Sequence, residues 1–140
     1  MMGLNHPQIN LDIVEEPKIV FVDSVKLMLE MCSHLEEQKE IGLDSEFDTQ
    51  MFYHDCIALI QISSFKFNFL IDPFTMFPYI QKMIGPIFMN PNIVKIVWSE
   101  NDIRFFARDF QIYFVGVIDL QNLRKIALGL ENNESLSKVA

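Results

Sequence analysis

The sequence predicts an α/β domain built on a single mixed sheet, and three observations carry that class. Short runs rich in Val, Ile and Phe alternate with longer stretches whose apolar residues recur at helical spacing. Three of the short runs, between Ile41 and Ile71, are joined only by polar links, which suits antiparallel neighbours. Downstream of them, helix and strand patterns alternate, which indicates mixed pairing in the sheet. At 140 residues, half of them hydrophobic and 13 of them Phe, the chain is one domain or most of one, with ample material for one core.

Residues 1–17 are polar and aperiodic, punctuated by Pro7 and Pro17, and read as an arm ahead of a domain spanning 18–140. Lys18 to Val22 reads as a short strand. Asp23 and Ser24 can cap a helix whose apolar positions are Val25, Met28, Leu29, Cys32 and Leu35. Its charged side (Glu30, Glu36, Glu37, Lys39, Glu40) reads as solvated surface. Buried strands follow at Ile41–Phe47, Cys56–Ile62 and Phe67–Ile71, the last closed by Asp72-Pro73. A helix is expected from Thr75 to Met89, with Pro78 in its first turn and Pro86 breaking or bending its end. Asn90-Pro91-Asn92 is a turn. Then come a strand at Ile93–Trp98, a helix at Asn101–Phe110 and a strand at Tyr113–Ile118. A final helix runs from about Asp119 to Leu128, with Gly129 as its stop. No internal repeat or low-complexity tract interrupts this order.

A net charge of −8 argues against a basic protein that coats nucleic acid. It leaves room for an enzyme that grips phosphates through metal ions held by carboxylates. Cys32 and Cys56 lie in apolar stretches without CxxC spacing and read as reduced thiols, which points to an intracellular protein. No stretch approaches the ~18 apolar residues of a membrane span. Met1–Asn10 lacks the apolar core of a secretory signal. No membrane association is expected.

The candidate chemistry lies in the acids. Asp44 and Glu46 end an apolar strand at i, i+2, so both side chains project from one face a few ångströms apart. Two carboxylates held that close repel unless a proton or a cation sits between them. A solvated strand end is the competing reading. Asp102 follows another buried strand and opens a helix, at the sheet edge where α/β folds gather ligand sites. The bland alternative is a helix-start acid favoured by the dipole. Asp109, two turns further along, reads as structural. His6, His34 and His54 lack ligand spacing, and there is no phosphate loop, GxSxG elbow or HExxH.

In order and spacing, these segments resemble the DEDD-type 3′-5′ exonucleases, specifically the RNase D branch that includes the nuclear-exosome-associated exonuclease. The first family motif is similar to Ile41-Gly42-Leu43-Asp44-Ser45-Glu46-Phe47, followed by Ile57–Ser63 and Phe69–Asp72. The second is similar to Asn90–Ile96, Asn101-Asp102-Ile103 and Arg108–Asp119, and Phe21–Ser24 fits the entry of that branch. The resemblance covers about residues 18–140 and implies a ribonuclease H-like (DnaQ-like) fold, carboxyl-terminally incomplete. It also implies two divalent cations, Mg²⁺ or Mn²⁺, about 3.5–4 Å apart on the scissile phosphate. By that resemblance Asp44 bridges both ions, Glu46 holds the one that activates water, and Asp102 supports the other. The implied substrate is single-stranded RNA, with DNA as a second candidate, and Phe47, Phe52 and Tyr53 are candidates to wedge or stack its terminal bases. Core packing competes for Phe47. An exosome-like assembly is the implied partner, with a nuclear location in a eukaryote and a cytoplasmic one otherwise.

Two departures accompany the resemblance. Trp98-Ser99-Glu100-Asn101 stands, one residue shorter, where the family carries a His-Gly or His-Ala step, which shifts Asp102 relative to the first pair. The family's third motif, with its Tyr or His and its fourth acid, lies downstream of a segment like Glu134–Ala140, so no residue here fills those roles. The expectation is therefore a weak or inactive exonuclease. A degenerate module that binds RNA or a protein partner, or a gene fragment, are the alternatives.

Overall fold

The computed structural model describes residues 15–48 and 56–129. They form β1 (Lys18–Val22), α1 (Val25–Glu36), β2 (Glu40–Asp48), β3 (Cys56–Ser63), β4 (Phe67–Ile71) and α2 (Pro73–Met89), followed by β5 (Val94–Val97), α3 (Glu100–Phe110), β6 (Val117–Asp119) and α4 (Leu120–Leu128). The strands make one six-stranded sheet in the order β1-β4-β3-β2-β5-β6. Strands β2, β3 and β4 pair antiparallel, whereas β1–β4, β2–β5 and β5–β6 are parallel. This is the mixed α/β sheet that the sequence predicts. The arm expected over residues 1–17 lies almost wholly outside the described residues.

Local signals explain the boundaries. The Ser24 hydroxyl accepts a bond from the Leu27 N–H and starts α1. Its buried stripe is Met28, Met31, Cys32 and Leu35, at the i, i+3, i+4, i+7 spacing of a core-facing helix. Val25 and Leu29, expected on that face, are exposed instead. Leu29 lies one residue, about 100° around the helix, from the buried Met28, and Val25 stands at the first turn. Helix α2 starts two residues earlier than expected: Pro73 takes its first position, where a missing N–H costs nothing, and Asp72 caps it through the Phe74 and Thr75 N–H groups. Nor does Pro86 end it; the helix runs on to Met89.

The strand expected at Tyr113–Ile118 shrinks to Val117–Asp119. Gly116 has φ +72°, a left-handed conformation that breaks the extended run, and its carbonyl accepts from the Lys95 N–H. The buried Lys95 ammonium donates to the Asn90 and Val115 carbonyls at 2.6 and 2.8 Å, tying the end of α2 to the approach of β6. Cys32 and Cys56 are free thiols, as expected, the first buried and the second half-buried.

One face of the sheet carries the core. Ile41 and Leu43 of β2, Ile60 and Ile62 of β3, and Phe69 and Ile71 of β4 join the buried faces of α1, α2 and α3. Phe106 of α3 is fully buried, with its ring within 6 Å of Phe88, Phe110 and Phe114. The opposite face is open: Ile19 and Phe21 on β1 and Ile118 on β6 are all more than 40% exposed. Because α3 hangs on Phe106, Phe106→Ala is expected to lower the unfolding free energy by about 3–5 kcal/mol. Urea denaturation checks this, and a loss below about 1 kcal/mol would show that α3 is held by other contacts.

Candidate functional site

Strand β2 divides its side chains by parity. Ile41, Leu43 and Ser45 point into the core, whereas Asp44 and Glu46 stand exposed on the open face. Opposite them on β3 are Gln61 and Leu59, and the register shifts between Glu46 and Phe47. The extra residue is Ala58 of β3, so the bend of this bulge falls on β3 and the pairing past the two acids is locally disrupted. Gly42, on the acids' own face, floors a hollow of about 180 Å³ lined also by Ser63, Ser64, Phe65 and Ile96.

Asp102 comes from the other side. Strand β5 pairs with β2 only as far as Leu43↔Val97, and the chain then turns through Ser99 into α3. Asp102, third residue of that helix, is only 5% exposed. An acid at this position commonly reaches back to the N-cap residue. Here its carboxylate turns to β2, where Oδ1 accepts a bond from the Ser45 hydroxyl. The Ser45 N–H lies 3.0 Å from Asp44 Oδ1 and also interacts with Asp102. Burial first, opposed by the Ser45 bonds and aided by the charges of Asp44 and Glu46, holds the Asp102 carboxyl up at about 6. The charges of Asp44 and Glu46 thus reach Asp102, and Ser45 bonds both Asp44 and Asp102.

None of the three acids takes part in either ion pair found among the described residues, Lys26–Glu30 and Arg108–Asp109. Their donor chemistry, all oxygen and all anionic, fits a hard divalent cation. As the side chains stand, no three acid, His or Cys groups among the described residues close around a single point. The set is suited to a cation but not drawn in around one.

Asp109 behaves as expected of a structural acid, pairing with Arg108 at 2.6 Å and accepting from the Ile57 N–H. Phe47 is half-buried with its ring 4.4 Å from Phe105, and Arg108 lies over the far ring at 4.5 Å. Phe52 and Tyr53 lie outside the described residues. Ser45 escaped the sequence reading: as the middle residue of Asp-x-Glu it looked like a spacer, and only its place on an inward parity marked it.

The sequence pattern of the 3′-5′ exonuclease family matches residues 19–140. The chain belongs to that family. It is 30% identical over 112 residues to the exosome complex exonuclease RRP6 of Saccharomyces cerevisiae, and 30% identical over 101 residues to protein RRP6-like 3 of Arabidopsis thaliana. Those matches take in 79% and 71% of this chain but only 15% and 11% of the relatives. Among solved structures, the catalytic core of RRP6 from Trypanosoma brucei superposes with a TM-score of 0.74 at 25% identity, over 94% of this chain and 35% of that one. The exonuclease is of the RNase D and RRP6 type, as expected, and its sheet has the ribonuclease H-like form of that family. No described helix is long and apolar enough to cross a membrane.

The buried Asp102 has a cost for folding. The folded chain holds its proton up to about pH 6, whereas an ordinary Asp releases it near 3.8. Ionising Asp102 therefore makes folding less favourable as pH rises through that interval, by up to about 3 kcal/mol. Without added cations, Asp102→Asn is expected to be more stable than the parent at pH 7 and nearly equal to it at pH 4. Urea midpoints across pH 4–7 check this; a gap that does not vary with pH contradicts it.

Proposed function

We propose that this domain removes nucleotides from the 3′ end of single-stranded RNA, with Asp44, Glu46 and Asp102 as its catalytic acids. One observation carries the reading: two exposed carboxylates on an open sheet face, with a third acid from a second strand end within their electrostatic reach, in a chain of the 3′-5′ exonuclease family. In this reading the three acids hold two divalent cations, Mg²⁺ or Mn²⁺, which supply a water nucleophile at neutral pH and neutralise charge on the phosphate. The chain's own part is to keep these carboxylates ionised and positioned. At Asp102, burial and its acidic neighbours favour the protonated form. Activity is therefore expected to fall as pH drops below about 6. Phe47, at the strand end beside Glu46, offers a ring for base stacking, with Phe52 and Tyr53 further along the same stretch. DNA is the weaker candidate substrate. The relatives named as exosome proteins support an exosome-like assembly as partner.

A second reading, a non-catalytic module that binds RNA or a protein, is favoured by the absence among the described residues of three ligating side chains closed around one point. One assay separates the two. A 5′-labelled single-stranded RNA is incubated with the purified chain and Mn²⁺ or Mg²⁺. Slow, stepwise shortening from the 3′ end is expected, lost by about 100-fold or more in Asp44→Asn with the circular dichroism spectrum unchanged. Retarded but uncut RNA supports the binding module; shortening that survives Asp44→Asn contradicts the proposed site.

A further inference from the structure

We infer that Ser45 is a positioning residue for the site, joining the exposed pair of β2 to the buried acid of α3 and fixing where the Asp102 carboxylate points. The inference rests on the exonuclease reading and deepens it.

The argument begins with the edge of β2. Among the described residues the strand has no partner on its β5 side beyond Leu43, because β5 ends at Val97 and the chain leaves for α3. A strand edge left bare in the interior needs an acceptor for its N–H groups. Asp102 supplies one, and Ser45 meets it with both its hydroxyl and its N–H. That N–H also lies 3.0 Å from Asp44 Oδ1, so one residue touches a carboxylate from each strand end.

The helix end supports the same assignment. Ser99, the N-cap of α3, makes no side-chain capping bond, and Asp102 at the third position bonds to Ser45 rather than reaching back to Ser99. The carboxylate therefore serves the strand and not its own helix. The Ser45 hydroxyl engages Oδ1 and so sets the orientation of the Asp102 carboxylate. With Ser45 only 7% exposed and Asp102 5%, bulk water competes little for this bond. An apolar residue at position 45 would satisfy the inward parity of β2 equally well and would leave Asp102 to find another rotamer.

Partners that orient a ligating group commonly change metal affinity about 10-fold to 100-fold when removed. The full chain is titrated with Mn²⁺ alone, followed by electron paramagnetic resonance, as the parent and as Ser45→Ala, Ser45→Thr and Asp44→Asn. Ser45→Ala is expected to weaken Mn²⁺ binding about 10-fold, and Ser45→Thr, which keeps the hydroxyl, to restore it. A purely structural Ser45 would lower the melting temperature in both variants without separating their Mn²⁺ affinities. If Ser45→Ala does not fold, Ser45→Cys, of similar size and with a much weaker donor, takes its place. Parent-like binding in Ser45→Ala together with loss in Asp44→Asn overturns the role of Ser45 alone. Parent-like binding in both overturns the exonuclease site on which it rests.

Discussion

A buried carboxylate beside two others is the constraint around which this domain is arranged. Asp102 is almost completely shielded from water, and the nearest charges are of its own sign. Left to itself, such a group takes up a proton or moves out to solvent. It stays because Phe106, one turn along the same helix, is locked among Phe88, Phe110 and Phe114, and because the Ser45 hydroxyl donates a hydrogen bond to it. Aromatic packing thus holds the helix, and the helix holds the acid. The arrangement is unfavourable for stability taken alone, which is a common condition of functional sites.

The period-two geometry of β2 lets one strand serve two purposes. Ile41 and Leu43 anchor it in the core on one face, and Gly42, Asp44 and Glu46 line the other. Ser45 belongs to the inward set by parity yet is polar, which makes it the one place where the core side of the strand can speak to the site. Beyond Glu46 the register with β3 breaks, with Ala58 of β3 left over between the pairs. A shift of one residue in this strand would bury both acids and expose the apolar anchors, so hydrophobic burial itself fixes where the chemistry points.

Much of this was legible in the sequence. Five of the six strands and all four helices lie, within two residues at their ends, where apolar runs, helical spacing and capping residues place them, because those signals are local. The antiparallel trio followed from short links for the same reason. The parallel pairing of β1 with β4 was not legible, since nothing in Lys18–Val22 names a partner far along the chain. The face of α1 was misjudged at Leu29, where one step around the helix separates core from solvent. The run from Tyr113 looked like strand by composition, and the left-handed Gly116 cut it short. At the site, the acids were readable from their position at strand ends. Ser45 was not, because its role depends on where β5 stops and α3 begins, which is a property of packing and not of spacing.

The central claim is that Asp44, Glu46 and Asp102 together present oxygen ligands to divalent cations. Anomalous diffraction from crystals of the chain soaked in Mn²⁺ tests it directly. The account predicts a Mn²⁺ peak bonded to Asp44 and Glu46, at the roughly 2.0–2.2 Å expected of a small hard cation, with Asp102 turned toward it. Mn²⁺ found only at other acids of the surface, with Asp44 and Glu46 free of metal, would contradict it.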